Sequence, residues 1–98
     1  PVFFSHSESI NVEFEKPFGD IQEIKDLLSA SPGIILRDDP QNNVYPLARE
    51  ATGTDAVYVG RIRRDFSIEN GINFWCVADN IRKGAATNAI QIAELLIN

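Results

Sequence analysis

Few residues in this sequence have the chemistry to act on a substrate, and each has a plain reading beside an active one. His6, the only histidine, stands in Ser5-His6-Ser7-Glu8, just ahead of an alternating segment. An unperturbed imidazole titrates near neutrality, so a histidine at a strand edge can pass a proton at physiological pH. No Cys or Ser partner is identifiable from spacing, and the pattern alone favours a solvated or hydrogen-bonded loop histidine. Cys76, the only cysteine, lies within Phe74-Trp75-Cys76-Val77. Burial there disfavours the thiolate, which reads as a structural thiol rather than a nucleophile.

Arg61, Arg63 and Arg64 suit a phosphate or carboxylate through the guanidinium fork, although solvated charge at a strand end is the commoner explanation. Lys83-Gly84-Ala85-Ala86-Thr87-Asn88 gathers small residues where a helix opens. These allow close approach of backbone or ligand, and composition favours tight packing. The segment is no dinucleotide fingerprint, since G-x-G-x-x-G is missing. The acidic pairs Glu13/Glu15 and Asp38/Asp39 have no His or Cys beside them, so no metal site is expected.

Positioning these groups falls to a short run of elements. Ile10, Val12 and Phe14 alternate with polar residues over Ser9–Glu15, the pattern of a half-buried strand. Asp20-Ile21-Gln22-Glu23 has capping-box spacing, and Ile21, Ile24, Leu27 and Leu28 follow at helical intervals up to Ser31-Pro32-Gly33. Ile34-Ile35-Leu36 predicts a short strand. The stretch from Asp38 to Asp55 shows no period and reads as a long loop. Ala56 to Ile62 predicts a strand, Glu69-Asn70-Gly71 a turn, and Ile72 to Ala78 a strand buried on both faces, together making a hairpin. Asp79 or Asn80 is placed to cap a last helix running to Ile97, with Ala85, Ala89, Ile92, Ala93 and Leu96 along one side. The expected class is α+β, a mixed and largely antiparallel sheet with helices on one face.

At 98 residues and net charge −5, the chain has room for one modest core and not for separate cofactor and substrate pockets. No basic block offers a footprint for nucleic acid or an anionic membrane. No apolar run approaches the ~20 residues of a membrane span, and with a single cysteine a cytoplasmic setting is expected. Methionine is absent. A translated chain opens on Met, so the sequence is expected to be a piece of something longer.

The segments Ser5-His6-Ser7-Glu8-Ser9-Ile10-Asn11-Val12-Glu13-Phe14-Glu15, Val59-Gly60-Arg61-Ile62-Arg63 and Val77-Ala78-Asp79-Asn80-Ile81-Arg82-Lys83-Gly84-Ala85-Ala86-Thr87-Asn88-Ala89-Ile90-Gln91-Ile92-Ala93-Glu94 closely resemble the C-terminal third of the aspartate-semialdehyde dehydrogenase family. The resemblance runs in order along nearly the whole chain. It implies reversible NADP-dependent reductive dephosphorylation of L-aspartyl 4-phosphate to L-aspartate 4-semialdehyde, feeding lysine, threonine and methionine synthesis in a cytoplasmic homodimer. It implies that residues 1–98 end the catalytic and dimerisation domain of the glyceraldehyde-3-phosphate-dehydrogenase-like fold, with 80–98 the helix that returns to an absent N-terminal Rossmann domain.

Two residues carry over: His6 matches the family's acid/base histidine, and Asn80 matches a position that contacts the nicotinamide nucleotide. The family's nucleophilic cysteine lies far upstream, so Cys76 is not it, and a substrate-binding arginine falls just ahead of Pro1. The piece alone is therefore expected to be inactive, unable to hold NADP by itself, and prone to self-association along Ala85, Ala89, Ile92 and Leu96. N-acetyl-glutamyl-phosphate reductase has a similar Asn-x-x-Lys-Gly-Ala ending, but Thr87-Asn88 and the run from His6 into Val12-Glu13-Phe14 look like the aspartate enzyme. A stand-alone dimerisation module is the reading from another class.

Overall fold

The computed structural model describes residues 1–97. Its centre is a four-stranded sheet in the order β1-β4-β3-β2, with β1 His6–Glu13, β2 Ile34–Leu36, β3 Val57–Asp65 and β4 Gly71–Ala78. β1 and β3 flank β4 antiparallel, while β2 runs parallel to β3. The sheet is thus mixed and largely antiparallel, as the pattern predicts.

Strand alternation sorts the side chains into two sets. Ile72 of β4 and Val59 and Ile62 of β3 form one buried cluster with Ile24 of helix α1, Ile21–Ala30. This helix starts where the capping box places it: the Asp20 carboxylate accepts from the Glu23 amide at 3.3 Å, and the Glu23 carboxylate accepts from the Gly19 amide at 2.9 Å. Burying each such aliphatic side chain contributes about 1.5–3 kcal/mol. Tyr58 and Val77 point to the opposite face and pack on Ala51.

That second face is covered by the segment expected to be a long loop, so helical turns lie on both faces of the sheet rather than on one. Within it, Pro40–Asn42 forms a 3₁₀ turn and Ala48–Ala51 a single helical turn, α2. Ala51 and Pro46 are fully buried, and the Pro46 carbonyl accepts from the Trp75 indole at 3.2 Å.

Three further differences bear on the site. β1 begins at His6 rather than Ser9, because backbone pairing with β4 extends to His6 opposite Ala78. His6 is therefore a strand residue, not a loop residue. Phe14, beyond the strand, instead meets Phe18 edge-on at 5.5 Å between ring centroids. The middle of β4, Asn73–Cys76, is half-buried rather than closed on both faces, since α1 packs over β2 and β3 and α2 is a single turn. Finally, the last helix is not continuous from Asn80. A π-helical turn, Arg82–Ala86, precedes α3, Thr87–Ile97. Two bonds spanning five residues define that turn, from the Gly84 amide to the Asp79 carbonyl at 3.1 Å and from the Ala86 amide to the Ile81 carbonyl at 3.2 Å. No residue of α3 is buried among those described.

Candidate active site at the His6 end of the sheet

The start of β1 and the end of β4 lie side by side because of their register, and this brings together residues 74 positions apart in sequence, His6 and Asn80. Between them sits Gly84. A Cβ at Gly84 would lie 3.7 Å from the Asn80 Cβ, 3.8 Å from the Asp79 carbonyl oxygen and 3.8 Å from His6 Cε1. The glycine leaves a methyl-sized opening that the imidazole edge and the Asn80 side chain both border.

His6 Nε2 is 2.9 Å from Glu8 Oε1, two residues along the strand and on the same face. Both side chains are about half exposed, His6 at 43% and Glu8 at 54%. A contact so exposed is worth little and is easily displaced. The other ring nitrogen, Nδ1, is buried with no partner among the described residues. This leaves Nε2 as the ring nitrogen that solvent or a substrate can reach.

The backbone around this ring is held from behind. Ser5, buried and immediately before His6, has φ +67°, and its hydroxyl shares a 2.9 Å hydrogen bond with Thr52 Oγ1 at the end of α2. Only glycine takes this left-handed conformation without steric cost. Ser5→Gly loses the hydroxyl but relieves the strain, whereas Ser5→Ala loses the hydroxyl and keeps it. Ser5→Gly is expected to be the more stable of the two by about 1 kcal/mol. Urea midpoints of the two variants measure the difference, and equal midpoints would contradict it.

Asp79, buried in the turn from β4 toward α3, does what a helix cap does over a wider span. One carboxylate oxygen accepts from the Gly53 amide at 2.8 Å, and the other from the Ile81 and Arg82 amides at 2.9 and 3.1 Å. These backbone N–H groups, Gly53 first and Arg82 next, hold its pKa below the ordinary carboxylate value. Asp55 likewise titrates below its usual range, chiefly through the two-pronged Arg82 contact at 2.7 and 3.1 Å and then through the Thr87 hydroxyl.

A carboxylate whose folded pKa is depressed stabilises the fold above its unfolded value, and that contribution fades as pH falls through the folded value. Asp79→Asn is therefore expected to melt below the parent at pH 7, with the gap narrowing as pH falls below about 4. Thermal melts of both proteins between pH 3 and 7 check this. A gap that is constant with pH would mean that the charge of Asp79 carries none of the effect.

Cys76 is half-buried on the sheet face that carries Val59 and Ile72 and is paired with Glu8 across the strands. Burial first, and the Glu8 charge second, raise its thiol pKa. This agrees with a structural role. The three arginines suited to an anion, for which solvated strand-end charge is the commoner explanation, are not brought to His6. Arg64 lies over the Phe18 ring at 4.1 Å and donates to the Gly19 carbonyl, and Arg61 and Arg63 sit farther along β3.

Glu8 and Asp55 were assigned no function from sequence. The i, i+2 spacing of His6 and Glu8 was the available signal for Glu8, but it has meaning only once His6 belongs to the strand. Among the described residues, no group of three or more His, Cys, Asp or Glu is placed to hold a metal ion, and no helix is long and apolar enough to cross a membrane.

Comparison with known proteins places this chain among relatives. Residues 1–83 match the family described as semialdehyde dehydrogenase, dimerisation domain. The aspartate-semialdehyde dehydrogenase of Aquifex aeolicus is 57% identical over 97 residues, covering 99% of this chain, and that of Bacillus subtilis is 45% identical over 96 residues, covering 98%. The crystal structure of aspartate semialdehyde dehydrogenase II from Vibrio cholerae superposes with a TM-score of 0.87 at 48% identity over 98% of the chain, as does the same protein complexed with ASA. In each case the chain spans 28% of the relative's length.

Proposed function

Because this chain belongs to the semialdehyde dehydrogenase dimerisation-domain family, we propose that it works as the C-terminal part of an aspartate-semialdehyde dehydrogenase, interconverting L-aspartyl 4-phosphate and L-aspartate 4-semialdehyde with NADP and phosphate. The observation that carries the reading is the juxtaposition of His6 and Asn80 across the opening at Gly84. In this reading His6 is the acid/base group and Asn80 contacts the nicotinamide nucleotide. The N-terminal Rossmann domain supplies the remaining cofactor contacts and the attacking cysteine, a second copy completes a homodimer, and the location is cytoplasmic.

The residues present suit the cofactor. Gly84 keeps clear a space that any side chain would fill, and the exposed Asn80 amide beside it can both donate to and accept from a carboxamide. When bound, NADP supplies hydride acceptance in the oxidative direction. His6 then has a defined task. As a hemithioacetal on the cysteine becomes a thioester, its hydroxyl must lose a proton, and Nε2, the ring nitrogen open to the site, takes it with the ring in its Nδ1–H tautomer, once Glu8 no longer accepts from Nε2. Glu8 at 2.9 Å from Nε2 is displaced by the substrate or steadies the protonated ring before solvent takes the proton. The Ser5–Thr52 and Asp79–Gly53 bonds keep the strand ends, and so the ring, in register.

The outward side of α3 supports the same reading. Ile92 and Leu96 are 52% and 82% exposed, and this is the side on which a Rossmann domain would lie, together with Ala85 and Ala89. The chain alone, without a thiolate or the remaining cofactor contacts, is expected to show no turnover and to self-associate through this side.

The test is phosphate-dependent NADPH formation by the full-length protein, offered aspartate semialdehyde and, separately, N-acetylglutamate semialdehyde. Turnover of the first supports the proposal. Turnover of the second alone would assign the chain to N-acetyl-glutamyl-phosphate reductase chemistry, and turnover of neither would leave the dimerisation module.

A further inference from the structure

Away from His6, where β3 departs from its partner, a cavity of about 350 Å³ opens beside the strand. Its form follows from one irregularity. The pairing of β3 with β4 slips between Gly60 and Arg63, and Arg61 takes φ +53°, a left-handed conformation unusual for a side chain of its size. A bulge of this kind re-aims the side chains around it.

Asp38 holds the bulge. Its side chain is only 1% exposed, one oxygen accepts from the Arg61 amide at 3.0 Å, and the other accepts from the Ile62 amide at 3.2 Å and pairs with Lys25 Nζ at 3.2 Å. The carboxylate is fully engaged from behind and is not free to neutralise the guanidinium groups in front.

Those groups are Arg61 and Arg63, which both line the cavity. Among the described residues, neither has a carboxylate oxygen within 4 Å, whereas Lys25, Arg37 and Arg82 are all ion-paired. On a chain of net charge −5, two guanidinium groups without a carboxylate partner border one cavity. Their positions are fixed as well. Arg63 Nη1 donates to the Arg61 carbonyl at 2.6 Å, and the Arg61 guanidinium lies 5.8 Å from the centre of the Tyr45 ring. The remaining walls are mixed: Pro40, Val44, Ile62 and the Tyr45 ring are apolar, with Val44 and Tyr45 left 38% and 40% exposed, while Asn43 and the engaged Asp38 are polar.

We infer that this cavity binds a small organic carboxylate with an apolar body. The carboxylate sits between the forks of Arg61 and Arg63, where a planar two-pronged contact is favoured, and the apolar part lies along Val44, Pro40 and the Tyr45 ring. The volume is at the lower end for ligand pockets, which suits an aromatic or branched monocarboxylate. The inference does not rest on the role of His6: Arg61 and Arg63 are opposite the Asn73–Trp75 part of β4, whereas His6 is opposite Ala78.

Calorimetric titration of the protein with sodium benzoate, with sodium acetate and sodium phosphate as separate arms at matched ionic strength, tests it. Saturable benzoate binding is expected, at least fivefold tighter than acetate, with a loss of at least tenfold in Arg61→Gln/Arg63→Gln. Both arginines are exposed, so the melting temperature of the double variant should match the parent, and Tyr45→Ala should weaken benzoate more than acetate. The inference is overturned if benzoate does not saturate, if the double variant binds it equally well, or if phosphate or acetate binds as tightly as benzoate.

Discussion

Replacing His6 by alanine is expected to lower kcat for phosphate-dependent oxidation of aspartate semialdehyde by 10²–10⁴-fold in the full-length enzyme, the range a positioned acid/base group supplies. The expectation follows from its setting. Nε2 is accessible and shared only with an exposed carboxylate, so it is available to a reacting hydroxyl, while the buried Nδ1 is turned away. Because the ring is half exposed and absent from both buried clusters, its removal should barely change the melting temperature, and the kinetic loss can be read as chemistry rather than unfolding. The Michaelis constant for NADP should move far less than kcat, because Asn80 rather than His6 is assigned the nucleotide contact. A loss below about tenfold with an unchanged fold would remove His6 from the proton-transfer role, whatever the enzyme's substrate.

Gly60→Ala is expected to produce the largest loss of stability at a position remote from His6. A Cβ there would lie 2.0 Å from the Arg37 carbonyl oxygen and 2.6 Å from Pro46 Cδ. Neither neighbour can yield cheaply. The Arg37 amide continues the parallel ladder by donating to the Val59 carbonyl at 2.8 Å, and Pro46 is fully buried with its own carbonyl engaged by Trp75. Accommodation requires parting β2 from β3 or expelling Pro46 from the second face. The cost should reach about 3 kcal/mol, the upper part of the range for overpacking, or a fall of roughly 10–20 °C in Tm. Gly84→Ala is the control. Its new Cβ meets neighbours only at ordinary contact distances of 3.7–3.8 Å, so stability should change by less than about 1 kcal/mol. Equal melting temperatures for the two variants would contradict the packing argument.

Legibility in the sequence followed the range of the interactions. Helix α1 was readable because its cap and apolar spacing lie within eleven residues, Asp20 to Ala30, and its structure obeys them. The hairpin was readable from Asn70-Gly71 between two apolar runs. The start of β1 was not, since Ser7, Glu8 and Ser9 carry no apolar alternation and strand form there comes from the backbone of β4. Helix α2 is a single turn, too short for any period to register. The bulge at Arg61 depends on a carboxylate 23 residues earlier, and the residue that takes the left-handed conformation is Arg61 itself rather than the neighbouring Gly60. As for the site, the matching motifs singled out His6 and Asn80, but their meeting at Gly84 arises from strand register and a π-helical turn, for which the composition of residues 82–86 offers no rule.

The absence of any buried side chain along α3 has a mechanical consequence. An eleven-residue helix is about 16 Å long, and one of this length is marginal in water without tertiary support. This one is rooted at its amino-terminal end, where Lys83 Nζ reaches Asn88 and Gln91 and Arg82 grips Asp55. It is a cantilever, and its backbone amides should exchange with deuterium far faster than those of β4. Docking against its free length would quench that exchange and, through the Gly84 turn at its root, transmit load to the imidazole edge of His6.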